Sequence, residues 1–291
     1  MPLLPMAGML KHAKENRYAI PAFNVFDLAT MHACKLAAEE EDAPVIIAGA
    51  DAGDRVGPVS SELFAALALT TARNSTMPMA VHVDHGKSFK GCMTGIRLGY
   101  TGVMIDASTL PFDENVAVTK QVVDAAHAVG VSVEAELGHV GSGMEELTDE
   151  MRARLFTKPD DAIRFVKLTG VDALAVSVGT LHGVYKFEPR LDFELLQELC
   201  DRVPACLVIH GGSGTPGLEK VARMGVTKIN IATEIVQACM AKVPGESDKE
   251  GRALLNAITA NNIEAGKAAM IERIRSFGAN GHGKALLKSL L

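Results

Sequence analysis

The chain has 291 residues, 48% of them hydrophobic and 22% charged, with a formal net charge of −6. That composition excludes a disordered chain, and a negative balance without a basic run excludes an electrostatic nucleic-acid surface. No apolar stretch reaches the roughly 18–20 residues of a membrane helix, and the segment from Met1 to Gly8 lacks the layout of a signal peptide. The cysteines Cys34, Cys92, Cys200, Cys206 and Cys239 form no CxxC pair. They fit small buried or half-buried apolar positions in a reduced, cytoplasmic protein.

In chain order, a short helix is expected at about Met6–Glu15, where it could plug the bottom of the fold that follows. Eight β-rich runs then alternate with longer amphipathic ones. The expected strands are Ile20–Val25, Val45–Gly49, Met79–Val83, Gly102–Asp106, Ser132–Leu137, Ala173–Val178, Cys206–Ile209 and Lys228–Ile231. Several are continuous apolar runs, as parallel strands covered by helices require. The expected helices include Leu28–Glu41, Ser60–Arg73, Glu114–Ala128, Pro159–Thr169, Phe193–Asp201 and Leu218–Arg223. Regular βα alternation indicates a parallel sheet, and eight units favour closure. The reading is a (β/α)8 TIM barrel, one domain over residues 1–291, with additional N-terminal and C-terminal helices. Gly138–Thr157, rich in glycine and acidic residues, is too long for an ordinary loop and reads as a mobile active-site loop. After strand eight come a polar break at Pro244–Lys249 and a long helix from about Leu254 to Ser276.

Barrel active sites lie at the carboxyl ends of the strands. His85, His182 and His210 fall there, each followed directly by glycine. Three neutral imidazoles from separate strands can converge on one Zn²⁺ and leave a position open for substrate. For the remaining histidines, His12, His32, His82, His127, His139 and His282, solvated positions are the general expectation. Asp84, just before His85, either orients a metal ligand or transfers a proton at a substrate hydroxyl. The run Gly211-Gly212-Ser213-Gly214-Thr215-Pro216 opens towards a helix, and strand eight ends in Asn230-Ile231-Ala232-Thr233. Loops after strands seven and eight commonly bind phosphate in barrels, although a plain tight turn is the competing reading. Asp106 ends strand four. Glu134 and Glu136 alternate on strand five and face the same way, either as solvated edge groups or as a buried pair that meets a cation. Glu145 and Glu146 lie in the long loop, where one of them could act as acid–base.

These residues resemble the class II fructose-bisphosphate and tagatose-bisphosphate aldolase family. The matching segments are Pro21-Ala22-Phe23-Asn24, His82-Val83-Asp84-His85-Gly86, Met104-Ile105-Asp106 and Val133-Glu134-Ala135-Glu136-Leu137-Gly138. They continue with Gly179-Thr180-Leu181-His182-Gly183, His210-Gly211-Gly212-Ser213-Gly214 and Lys228-Ile229-Asn230-Ile231-Ala232-Thr233-Glu234, in the family's order. The resemblance implies a zinc-dependent aldehyde-lyase of carbohydrate metabolism that cleaves or forms a ketose phosphate through the enediolate of dihydroxyacetone phosphate. It implies zinc on His85, His182 and His210, proton transfer by Asp84, and protonation of the enediolate by a loop glutamate, Glu145 or Glu146. It assigns the dihydroxyacetone-phosphate end to Gly183, Gly211, Gly212, Ser213, Asn230, Ala232 and Thr233, with Asn24 beside the reacting carbons. Asp106 and Glu136 match an alternative metal position. A monovalent cation near the phosphate and a homodimer or homotetramer are further expectations, with no nucleic-acid or membrane partner.

Three departures stand out. Many members place serine after strand two, where this chain reads Gly49-Ala50-Asp51. The long loop, Gly141-Ser142-Gly143-Met144-Glu145-Glu146, departs from the usual Gly-Gly-x-Glu-Asp spacing. Relatives often carry Asp-Pro-Arg before the last helix, with its arginine on a distal phosphate; here the segment reads Ala257-Ile258-Thr259-Ala260-Asn261-Asn262, with Lys267, Arg252 or Arg273 as other sources of charge. The competing readings are a metal-dependent hydrolase on the same barrel and a non-catalytic sugar-phosphate-binding relative. The first is disfavoured by the absence of a His-x-His pair on strand one, the second by the intact set of His85, His182, His210 and Asp84.

Overall fold

The computed structural model describes residues 2–50, 59–141, 148–187, 189–241 and 251–290. Eight strands form a closed parallel barrel in sequence order, each paired with the next and β1 paired with β8. They are β1 (Ile20–Asn24), β2 (Val45–Ala50), β3 (Met79–Gly86), β4 (Gly102–Ile105), β5 (Ser132–Leu137), β6 (Ala173–Val176), β7 (Cys206–Ile209) and β8 (Val226–Ile231). Helices α2 (Leu28–Glu40), α3 (Ser61–Arg73), α4 (Phe89–Leu98), α5 (Phe112–His127), α7 (Pro159–Thr169), α8 (Phe193–Arg202) and α9 (Leu218–Met224) follow successive strands. The last strand leads into α10 (Thr233–Ala241), α11 (Gly251–Ser276) and α12 (Gly283–Leu290). Among the described residues no helix is long and apolar enough to cross a membrane.

The expected N-terminal plug is present as α1 (Met6–Asn16). Its Met6, Met9, Leu10 and Ala13 are fully buried, and the Ala7 N–H donates to Ser132 Oγ at 2.8 Å at the start of β5. The bottom of the barrel is thereby closed by apolar surface. The far end is left for chemistry.

Three elements depart from the sequence reading. The segment between Gly138 and Thr157 is not loop throughout, because α6 (Asp149–Leu155) lies inside it. Helix α4 was not anticipated: Gly91 and Gly95 lower its helix propensity, but both are buried, and its Ser88 cap accepts from the Gly91 N–H. Strand β3 runs past Val83, and its end is irregular. Val83 pairs with Val103 and Gly86 with Ile105, so three steps along β3 oppose two along β4, which is a bulge at Asp84–His85.

The cysteines behave as small apolar groups. Cys34, Cys92 and Cys239 are buried, Cys200 and Cys206 half-buried, and all are free thiols. Burial pushes the Cys34 thiol up to about 12, far from reactivity.

Inside the barrel, His82, Glu134 and Lys228 are fully buried. Gly102, opposite His82 on β4, makes room for that ring. A Cβ there would stand 2.8 Å from His82 Nδ1 and 3.5 Å from Met6 Cβ. We expect Gly102→Ala to destabilise the fold by about 1–3 kcal/mol through overpacking. A thermal midpoint equal to that of the parent protein would contradict this account of the barrel floor.

Candidate active site

At the open end of the barrel, β3, the chain beyond β6 and the end of β7 bring three imidazoles together. His85 Nε2 lies 3.2 Å from His182 Nε2 and 2.9 Å from His210 Nδ1. Each ring's other nitrogen is anchored outward. His85 Nδ1 is 2.9 Å from Asp106 Oδ2, His210 Nε2 is 2.7 Å from Glu134 Oε1, and His182 Nδ1 is 3.3 Å from the Val140 carbonyl. An outward N–H bound to an oxygen leaves the inward nitrogen as a lone pair, so the anchors fix three lone pairs towards one point.

Such lone pairs repel unless a cation lies among them. Tetrahedral Zn–N bonds of about 2.0–2.1 Å place ligand nitrogens about 3.3 Å apart, close to the spacing found here. The electrostatics agree. Burial lowers His182 to about 3 and also lowers His210, each further depressed by the neighbouring rings, so neither takes a proton near neutral pH. Burial likewise opposes charge on His85, but Asp84, Asp106 and Glu136 outweigh it and raise that group to about 9. The carboxylates around the triad therefore favour positive charge there, which a divalent ion would supply in place of a proton.

Asp84 stands beside this centre, almost buried. Its Oδ2 accepts from Asn24 Nδ2 at 2.7 Å and its Oδ1 from Asn230 Nδ2 at 2.8 Å. Burial disfavours its charge, yet His85 and Lys228, with the hydrogen bond from Asn24, hold it well below the usual carboxylate range. A metal ion in the triad would act with the same sign. In a regular strand, neighbours such as Asp84 and His85 face opposite sides; the bulge and the His85 φ of 52° let both reach one site.

The cavity beside the triad is also lined by Asn24, Gly183, Gly211, Gly212 and Ser213, and by Asn230, Ala232 and Thr233 beyond β8. The N–H groups of Gly183, Gly211 and Ser213 have no partner among the described residues. Two of the expected groups are already engaged. The Gly212 N–H donates to the Asn230 carbonyl at 3.1 Å, and Ser213 Oγ accepts from the Ala232 N–H at 3.0 Å. The Asn230 side chain is likewise committed, to Asp84 on one side and to Lys228 Nζ at 2.7 Å on the other.

The two strand-five glutamates are buried, at 0% and 1% exposure, and Glu134 meets a cation, which decides between the two sequence readings. Lys228 Nζ lies 3.0 and 2.8 Å from its two oxygens. Glu136 has no lysine or arginine partner among the described residues; its Oε1 accepts from the Val140 N–H at 3.2 Å and lies 3.9 Å from His139 Nδ1. It forms a group with His85 and Asp106 that could hold a metal, and burial with the nearby Asp106 charge raises it to about 7. Asp106 also accepts from Lys87 at 2.6 Å and Ser108 at 2.7 Å.

The sequence reading overlooked Lys228 as a site residue, and it grouped His82 with solvated histidines. His82 is fully buried, with Nε2 3.4 Å from Glu134 Oε2, and burial lowers it to about 4. The signal was present: a lysine and a histidine lie two residues before Asn230 and Asp84, on the same strand face. His12 and His282 are half-buried around Tyr18. Of the alternative cations, Arg273 is held by both oxygens of Glu234 and Lys267 lies between Glu40 and Glu264; Arg252 and Ala260 are exposed. Glu145 and Glu146 lie outside the described residues, as does Asp51.

Residues 5–282 match the family model described as fructose-bisphosphate aldolase class-II. A fructose-bisphosphate aldolase of Geobacillus stearothermophilus is 38% identical, covering 97% of this chain and 99% of its own. A probable fructose-bisphosphate aldolase of Bacillus subtilis is 40% identical, covering 96% and 99%. The crystal structure of the YdjI aldolase from Escherichia coli K12 superposes with a TM-score of 0.84 at 36% identity, covering 97% of this chain and 99% of that one. The chain therefore belongs to the class II fructose-bisphosphate aldolase family of aldehyde-lyases.

Proposed function

We propose that this aldolase uses zinc on His85, His182 and His210, and that it cleaves or forms a ketose phosphate whose invariant half is dihydroxyacetone phosphate. The observation that carries the reading is Asp84: an ionised carboxylate held by two asparagine amides beside three converging imidazole nitrogens. A zinc ion there would polarise the ketose carbonyl as a Lewis acid. Asp84 accepts the proton of the substrate hydroxyl whose deprotonation starts carbon–carbon cleavage. The N–H groups of Gly183, Gly211 and Ser213 hold the phosphate, and Asn24 and Asn230 keep both carboxylate oxygens of Asp84 in place. Reprotonation of the three-carbon half is assigned to Glu145 or Glu146. Asp106 and Glu136 offer the ion an alternative position with His85.

Two variants separate binding from proton transfer. His210→Ala should lose bound metal and activity together while the barrel stays folded. Asp84→Ala should keep stoichiometric metal, measured by elemental analysis, and lose about two orders of magnitude or more in kcat. Near-normal turnover in the second variant would return Asp84 to the role of orienting a ligand.

The distal half of the substrate is proposed to lack a strong phosphate contact. Ala260 stands nearest the place where relatives often carry arginine, and the ion pairs of Arg273 and Lys267 commit those charges elsewhere. A charge-assisted contact contributes about 1.5–3 kcal/mol, so its loss weakens a bisphosphate by roughly tenfold to a hundredfold. Fructose 1,6-bisphosphate should therefore be a poor substrate. A kcat/KM for it near ~10⁵ M⁻¹s⁻¹, well within the normal enzyme range, would overturn this view.

The protein is further proposed to be cytoplasmic and to assemble as a homodimer or homotetramer. Leu28 of α2, Leu63 of α3, Met240 of α10 and Leu255 of α11 are each 61–65% exposed, and α2 packs against α3 and α11, α10 against α11. Apolar side chains on neighbouring helices suit a second copy of the chain. Sedimentation equilibrium should give a mass of at least two chains, and a monomer at micromolar concentration would exclude the assembly.

A further inference from the structure

Tyr185 does not line the cavity, yet its hydroxyl touches three parts of the wall. The Leu181 N–H donates to Tyr185 Oη at 2.9 Å, and that hydroxyl donates to the Gly211 carbonyl at 2.8 Å. Thr215 Oγ1 lies 2.7 Å from the same hydroxyl and itself donates to the Gly211 carbonyl at 3.0 Å. Leu181 precedes the ligand His182, and Gly211 follows the ligand His210. One phenol therefore joins the two loops that carry them.

The loops are in direct backbone contact at this point. A Cβ on Gly211, whose φ is 64°, would stand 2.3 Å from the Leu181 carbonyl oxygen. The peptide unit between Gly211 and Gly212 is also held at both ends. Its carbonyl takes Tyr185 and Thr215, while its N–H donates to the Asn230 carbonyl at 3.1 Å. A planar peptide fixed at its oxygen and its nitrogen cannot rotate. The flanking N–H groups of Gly211 and Ser213 have no partner among the described residues, and both residues line the cavity on either side of this fixed peptide.

We propose that Tyr185 is a positioning residue for anion recognition: its hydroxyl, with Thr215, locks the Gly211–Gly212 peptide so that the neighbouring N–H groups are preorganised for a phosphate. The inference rests on the assignment of the substrate phosphate to this loop. Preorganised donors bind without an ordering penalty, so losing the lock affects binding more than turnover.

The test uses the metal-loaded protein and inorganic phosphate as probe, with competitive inhibition as readout. Tyr185→Phe keeps the ring and removes the oxygen. We expect unchanged metal content, an inhibition constant for phosphate about tenfold weaker, a KM for the ketose phosphate raised to a similar extent, and kcat within about threefold of the parent value. Thr215→Val should have a smaller effect of the same kind, and the double variant should fall short of the product of the two. Should Tyr185→Phe not fold, the same comparison on Thr215→Val decides. A folded variant with an unaltered phosphate constant, or one that loses kcat at constant KM, overturns the proposal. If phosphate fails to inhibit the parent enzyme itself, the phosphate assignment fails instead, which keeps the two failures distinct.

Discussion

The arrangement of the site depends on an ion pair sealed beneath the cavity it serves. Glu134 and Lys228 face each other inside the barrel with no exposed surface on either side chain. Separately, each charge would be costly to bury; together they satisfy one another and leave acceptor and donor capacity to spare. Glu134 uses its share to hold His210 Nε2, and Lys228 uses its share to hold the Asn230 amide oxygen. Through those two arms the pair orients a metal-binding ring and one of the amides that grip Asp84. A neutral pair of the same volume would fill the space but could not set those directions.

Above this pair, the reactive groups have different means of support. His85 and His210 rest on carboxylates, whereas His182 rests on a backbone carbonyl. Two negatively charged anchors and one neutral one make the rings unequal, and the carboxylates around His85 favour positive charge at that ring. Asp84 is stabilised as an anion by that same charge and by its two amides. The proton acceptor and the electrophilic centre therefore share one electrostatic origin.

Much of this was legible in the sequence. The three His-Gly pairs, the βα alternation and the polar run after β7 each follow from a local rule, and the barrel places them at one end because all eight strands run parallel. What local rules missed depends on the packing of distant segments. Helix α4 is helical despite two glycines because those glycines are buried. Lys228 reads as an ordinary charged residue until β5 is known to set Glu134 opposite it. His82 is buried only because Gly102 and Met6 leave room for its ring. Tyr185 carries no motif of its own, and its hydroxyl matters because the loops after β6 and β7 meet at it. The side-chain periodicity of β3 also misleads at its end, where a bulge replaces alternation.

That bulge carries a consequence for how far the protein can be stabilised. His85 has a backbone φ of 52°, a left-handed conformation that costs a side-chain-bearing residue energy and that glycine enters freely. Selection for stability alone would replace it and relax the strand. The histidine persists there only if the chain is held to its chemistry, so the end of β3 is a point where thermodynamic optimisation and activity pull in opposite directions. Consensus or stability-guided redesign of this barrel would do well to leave Asp84 and His85 alone and to seek its gains among the outer helices.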